Sequence, residues 1–516
     1  MNRRDALRAG YGVAASTWLA GCSTGDSADA KPPGPSGTPA PTTPSGTGTS
    51  ATPGSPPDWP ALAKGLGGAL IRPDDSAYDA SRRLYNTRFD GLRPAAIAYA
   101  SGPDDIRECL DFARRSRSVR LSVRSGGHSY GGWSGGGQDH LVLDVSRLNA
   151  ISTGGTAATV GAGAKLIDVY SRLGEHGRTV PAGSCPSVGV SGLTLGGGHG
   201  VLSRSYGLTC DSLTGATIIT ADGKQLDCDA TTNSDLFWAL RGAGCGNFGV
   251  VTELRFATHP APSVVTGYAT WPWSRAAAVV RAWQEWGPDQ PDHIWSALHL
   301  EGPAGGSPTV SLATLSTGSR SDLANAVDRL AGTAGGGSPS FSTHPRSYME
   351  AMFSYAGCSG LTTAECHLPP KGRLQRETYT ARSDFYDHSL SPAGIQALLG
   401  QVERLGSLSG GGAGSVALTA LGGAVNRVDP GATAFVHRRS RFLAQYIASD
   451  ALSRTSWLDT LYGAMRRYAS GAAYQNYADP ALKDWRQAYY GSAAARLTEV
   501  KKKYDPDRLF DYPQAV

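Results

Sequence analysis

Two glycine-rich segments hold the residues most able to do chemistry. Arg124-Ser125-Gly126-Gly127-His128-Ser129-Tyr130 follows a short apolar run, and Gly183-Ser184-Cys185 opens a stretch continuing through Val188, Gly189, Gly192, Gly196, Gly197, Gly198, His199 and Gly200. Seven of the eighteen residues from Gly183 to Gly200 are glycine, interleaved with Val and Leu. Without side chains in the way, backbone N–H groups can face phosphate oxygens or lie close against a large planar ligand. The spacing is neither GxGxxG nor GxxxxGK[ST], so it implies neither a Rossmann turn nor a P-loop. A glycine-rich surface loop is the plain alternative, and the steady alternation with aliphatic residues argues against it. The eight cysteines are not spaced as CxxC pairs or zinc knuckles, so no metal site is expected. Cys358 and Cys366 sit in a Gly/Thr-rich loop where pairing and free thiols are equally open, and Cys109, Cys210, Cys228 and Cys245 have the flanks of buried thiols.

The elements that position these segments alternate. Ala95–Ala100 reads as a strand, a helix opens at Pro103-Asp104-Asp105, and Val119–Val123 is a strand feeding the first glycine loop. A helix near residues 165–176 precedes the second loop. Thr217–Thr220, a helical piece at Phe237–Leu240 and the strand Val250–Phe256 follow, with Gly249 and Val251 at that strand's start. After Pro260 the glycine cradle gives way to helices at Ser274–Trp286 and Ser321–Ala331 and strands at Thr309–Ser316, Glu377–Tyr386 and Val416–Thr419. This pattern predicts an α+β cap whose strands form one wall of an active site. Lys501-Lys502-Lys503 reads as a solvated helix face.

The chain has 516 residues, of which 40% are hydrophobic, enough for two or three cored domains. Its 48 basic against 43 acidic residues leave a formal charge of only +5, a weak field that argues against a nucleic-acid partner. Arg3-Arg4, an apolar stretch from Tyr11 to Ala20 and the terminal Leu19-Ala20-Gly21-Cys22 have the form of an export signal. The paired arginines resemble a twin-arginine signal and the terminal tetrad a lipoprotein box, so lipidation at Cys22 is expected at a cell-surface or extracellular address. Residues 23–57 are almost wholly Gly, Pro, Ser, Thr and Ala, a composition that cannot bury enough apolar surface to order itself. As a coil the segment reaches about 30 Å, which suits a tether.

Taken together, the motifs resemble the berberine bridge enzyme-like branch of the vanillyl-alcohol-oxidase flavoprotein family, with PCMH-type FAD binding. Besides the two glycine loops, Trp238-Ala239-Leu240-Arg241-Gly242, Asn247–Glu253, Tyr474-Gln475-Asn476-Tyr477-Ala478-Asp479 and Asp505–Phe510 follow the family's order. The resemblance implies an α+β chain: a two-part FAD-binding domain over residues 58–259 and 471–516, and a substrate domain with an antiparallel sheet over 260–470. It further implies bicovalent FAD, joined through the 8α-methyl carbon to His128 and through C6 to Cys185. Imidazole and thiolate are both nucleophiles able to attack an oxidised isoalloxazine. Arg124, Ser125, Gly126, Gly127, Ser129, Tyr130, Gly183, Ser184, Val188, the glycines 189, 192, 196–198, 200 and 249, Val251 and Asn476 are the expected flavin contacts. Tyr477 is the expected base, Tyr474 a lesser candidate, and a tyrosinate would need nearby positive charge or donors to lower its pKa. His199 stands where many relatives carry an aromatic residue and is expected to bind substrate or tune the base. Leu443 falls where ring-closing relatives carry a carboxylate, which favours alcohol oxidation. Val188, small beside the oxygen-reactive flavin carbon, favours O2 as acceptor and H2O2 as product. Thr419, Tyr386 and Tyr379 are expected to meet a saccharide or other polar alcohol. Oxidation of a secreted secondary metabolite, use of another acceptor, and a non-catalytic surface binder are the rival readings. A monomer is favoured.

Overall fold

The structure, a computed structural model, describes residues 57–336 and 339–516; Cys22, the export segment and most of the tether lie outside them. A first sheet contains β1 (Leu70–Ile71), β2 (Ala96–Tyr99), β3 (Arg120–Arg124) and β4 (His140–Asp144) in the order β1-β2-β4-β3, with β2 and β3 parallel to β4. Parallel neighbours need a crossover, and the helix Pro103–Ser116 supplies it. Its start is written in the sequence: Pro103 in the first turn, Asp104 and Asp105 beside the positive end of the dipole, and Arg114 and Arg115 in the last turn. Asp105 also accepts from the amides of Gly67, Gly68 and Ser101, tying the preceding loops to the helix. Ile106, Cys109, Leu110 and Ala113 recur at helical spacing and are buried against the sheet.

The second sheet is antiparallel, with β5 (Ile151–Gly154), β6 (Ala157–Gly161), β7 (Leu213–Thr220), β8 (Gln225–Asp229) and β9 (Gly249–Ala257) in the order β5-β6-β9-β7-β8. The third has seven antiparallel strands: β10 (Val264–Trp271), β11 (Ile294–Pro303), β12 (Thr309–Ser316), β13 (Ser340–Arg346), β14 (Tyr379–Tyr386), β15 (Ala413–Ala420) and β16 (Phe442–Ser449), ordered β13-β10-β12-β11-β15-β16-β14. One face of this sheet carries helices, and the indole of Trp283 on Ala276–Trp286 donates to Ser296 of β11 at 3.1 Å. The residues flanking Ser296 along the strand, Trp295 and Ala297, point to the opposite face and line a cavity.

The fold settles two points about cysteines and lysines. Cys358 and Cys366 are joined in a disulfide within a small buried cluster. The lysine run is not uniformly solvated: Lys501 is buried, and its ammonium donates to Asp505 and to the carbonyls of Asn247 and Phe510. A helix presents successive residues about 100° apart, so one of three consecutive lysines turns inward, and it is kept by complete pairing.

Candidate active site

A cavity of about 360 Å³ opens between the first glycine loop, the second glycine loop, the odd-numbered face of β11 and β15, and the C-terminal segment. Every residue from Ser125 to Tyr130 lines it, as do Gly183, Ser184, Cys185, Val188, Gly189, Gly192, His199, Gly200, Gly249, Val251, Tyr474, Asn476 and Tyr477. The two loops cross at glycine. A Cβ on Gly126 would come within 2.1 Å of the Gly189 amide nitrogen, so neither strand of this crossing tolerates a side chain.

Four expected flavin contacts and one expected substrate contact lie elsewhere. Arg124 forms a buried ion pair with Asp144 across β3 and β4, so its guanidinium braces the base of the loop. Gly196 serves the approach of the C-terminal segment, where a Cβ would meet the Asn476 carboxamide oxygen at 1.9 Å, whereas a Cβ on Gly197 would meet Phe435 at 3.0 Å and one on Gly198 the Thr209 hydroxyl at 2.3 Å. Gly198, at φ +82°, donates its amide to the Tyr474 hydroxyl at 2.8 Å. At all three positions other protein atoms take up the space a Cβ would need. The substrate contact is Tyr386. It is seven residues from Tyr379 on β14, an odd interval that puts the two on opposite faces. Tyr379 lines the cavity and meets Tyr130 edge-on at 5.3 Å, whereas Tyr386 stacks on Phe442 and hydrogen-bonds Tyr446 in the core, so its expected substrate role is withdrawn.

His128 projects from the first loop with its Nε2 2.9 Å from the Ser187 hydroxyl and its ring stacked on Tyr85 at 4.1 Å. Burial, aided by the Lys165 charge, pushes its pKa down to about 3, so the imidazole is neutral. Cys185 lines the same cavity. The lining changes along the cavity, with glycine backbone between the loops and aromatic and hydroxyl side chains toward the seven-stranded sheet. A neutral imidazole, a cysteine-bearing loop and a glycine cradle are the residue types that FAD attachment requires, and the residues present fit it.

Tyr477 is held over this region by three aromatic contacts. Its ring stacks on Tyr130 at 5.1 Å and meets Tyr474 edge-on at 4.9 Å, and its hydroxyl lies 2.8 Å from His199 Nε2. Gln445 donates to the Tyr130 hydroxyl at 2.9 Å. Burial pushes Tyr477 well above the ordinary phenol range, and the neighbouring Tyr130 and Tyr474 push the same way. Burial likewise lowers His199 to about 4. The lowered tyrosine pKa required of a tyrosinate is therefore not met; the resting pair is a neutral phenol and a neutral imidazole. The Tyr474 oxygen accepts from both the Gly198 amide and Asn476 Nδ2 at 2.8 Å, which occupies its lone pairs and leaves it a brace.

Thr419 faces the cavity from β15 beside Ala417, and Trp295, Ala297 and His299 face it from β11. Registers Ala297↔Thr419, His299↔Ala417 and Ala417↔Gln445 put them on one surface. His299 and Gln445 were not singled out from sequence. For Gln445 a signal existed, since it is two residues beyond Leu443 and must share its face. Leu443 itself packs in an apolar cluster with Phe385, Phe435 and Tyr474. Cys245, expected in the core, is only partly buried and lines the cavity near Asn476.

The comparisons agree with this geometry. Residues 94–229 match the FAD binding domain family and residues 473–516 the berberine and berberine-like family. Chitooligosaccharide oxidase of Gibberella zeae is 32% identical over 457 residues, covering 84% of this chain and 89% of its own. The structure of Physcomitrella patens BBE-like 1 superposes with a TM-score of 0.80 at 30% identity, covering 89% of this chain and 98% of the other. That of Acremonium strictum glucooligosaccharide oxidase, described as revealing a novel flavinylation, superposes with a TM-score of 0.78 at 27% identity over 89% of this chain and all of the other. The α+β architecture is thus the PCMH-type FAD-binding one with its antiparallel substrate sheet, and the chain belongs to the berberine bridge enzyme-like family as an FAD-dependent oxidoreductase.

Proposed function

We propose that this protein is an exported oxidase that holds FAD through His128 and Cys185 and oxidises an alcohol or hemiacetal hydroxyl of a saccharide, with O2 as acceptor and H2O2 as product. The observation that carries the reading is the Tyr477–His199 pair, set in the cavity that His128 and Cys185 also line. The oligosaccharide oxidases among its relatives support the substrate class, and the twin-arginine and lipobox-like start supports export with a lipid anchor at Cys22.

FAD when bound supplies the two-electron acceptor for the carbon-bound hydride. The chain supplies orientation and the proton path. A substrate hydroxyl reaching Tyr477 gives its proton to the phenolic oxygen while Tyr477 passes its own to His199 Nε2, so no tyrosinate has to persist in an apolar site. Trp295 and Tyr379 offer rings for a sugar face, and Thr419, Gln445 and His299 offer hydrogen bonds to its hydroxyls. Val188, half-buried at the cavity, leaves room for O2 beside the flavin edge.

The test is to incubate the purified full chain with cello-, xylo- and chito-oligosaccharides and read peroxide and aldonic acid together. One equivalent of each per turnover supports the reading; aldonate without peroxide replaces O2 by another acceptor, and neither product from any sugar removes the saccharide.

A further inference from the structure

Attachment of a histidine to a flavin requires one particular ring nitrogen to present its lone pair, and a neutral imidazole has only one such nitrogen at a time. Which nitrogen it is depends on where the proton is held. In this protein the Nε2 side of His128 is engaged by Ser187 at 2.9 Å, and Nδ1 makes no hydrogen bond among the described residues. Stacking on Tyr85, with planes 19° apart, fixes the tilt of the ring, and the Ser187 bond fixes its rotation. Ser187 is 4% exposed and is not among the residues lining the cavity. Its hydrogen bond to His128 is thus its link to the cavity.

We propose that Ser187 is the positioning residue for covalent flavin attachment: it keeps the His128 proton on Nε2 and turns Nδ1 toward the cavity as the linking atom. This rests on the reading that His128 is one of the two attachment points. A C–N bond forms between Nδ1 and the flavin 8α-methyl carbon, while one methyl C–H bond and the Nε2–H bond break. The two protons and two electrons released reduce one dioxygen to hydrogen peroxide. The neutral state of His128, kept by burial and the Lys165 charge, suits a nucleophile whose single proton is on the far nitrogen.

The experiment compares full-length holoproteins carrying Cys185→Ala, Cys185→Ala with Ser187→Ala, and Cys185→Ala with Ser187→Thr, so that His128 is the only attachment point left. Each is incubated with FAD in air, then acid-precipitated. The flavin in the pellet is followed in time, the adduct is located by peptide mass, and native flavin absorbance reports non-covalent binding. Expected is attachment slowed about tenfold or more by Ser187→Ala, the order associated with losing one orienting hydrogen bond, with native binding retained and the rate restored by Thr. NMR of the isolated peptide adduct shows linkage at Nδ1. Equal rates with Ser and Ala, or linkage at Nε2, overturn the role of Ser187 while leaving the attachment reading intact. Pellets without flavin in both wild type and Cys185→Ala overturn the attachment reading and Ser187 with it. Ser187→Cys, close in volume and a weak acceptor, repeats the comparison if the alanine variant does not fold, and a rate equal to serine there is equally fatal.

Discussion

His199 Nε2 lies 2.8 Å from the Tyr477 hydroxyl, and both groups are neutral at rest. In the proposed mechanism the pair acts as a relay, with the imidazole as the final proton acceptor. Tyr477→Phe is expected to slow flavin reduction by roughly 10²- to 10⁴-fold, and His199→Asn by a lesser factor with KM nearly unchanged. The pH profile discriminates further. His199, lowered to about 4, loses its acceptor only as pH falls toward that value, and Tyr477 stays protonated beyond pH 10. The reduction rate should be flat from about pH 6 to 9. A rate that climbs tenfold per pH unit across that interval would instead require a tyrosinate.

The crossing of the two glycine loops leaves no room at Gly126, where a Cβ would fall 2.1 Å from a backbone nitrogen. Gly126→Ala should part the loops and yield protein with little or no flavin. A visible spectrum of the purified variant gives the answer, while Gly192→Ala, whose Cβ meets no protein atom within 4 Å, serves as the comparison for ligand contact alone.

Tyr386 and Thr419 separate core from site. Tyr386→Phe loses the hydroxyl contact to Tyr446 at 2.8 Å and should cost about 1 kcal/mol in stability with KM unaltered. Thr419→Val keeps volume in a cavity-lining position and should raise KM with little change in melting temperature. Thermal melts and steady-state kinetics on both variants resolve the two effects.

Glu301, two residues beyond His299 on β11, has its carboxyl pKa raised to about 7 by burial, partly offset by a Ser415 hydrogen bond. The folded state therefore holds a proton that the unfolded state releases above about pH 4.5, so stability from this group falls as pH rises from there to 7. Glu301→Gln removes that loss. The variant should melt higher than wild type at pH 8, by up to about 3 kcal/mol in stability, and the gain should shrink at pH 5.

Much of the site was legible because its residues sit in local motifs. The glycine loops, His128 and the Tyr474–Tyr477 segment announce themselves by type and spacing. What sequence could not separate was why each glycine is there: Gly126 serves the loop crossing, whereas Gly196 makes room for Asn476 of the C-terminal segment and Gly198 for Thr209. Arg124 looked like a ligand contact because it adjoins the loop, yet strand pairing brings Asp144 to it. Tyr386 failed on the period of two, which was available in advance. Ser187 and His299 carry no motif, and only tertiary packing brings one behind His128 and the other beside Thr419.

The most direct measurement is anaerobic rapid mixing of the purified flavoprotein with reducing oligosaccharides, followed by an oxygen pulse. At least one oligosaccharide should bleach the oxidised flavin in a single fast phase, and oxygen should restore the colour as quickly. Flavin that stays yellow with every sugar but bleaches with phenolic alcohols or glycosylated metabolites would exclude a saccharide substrate.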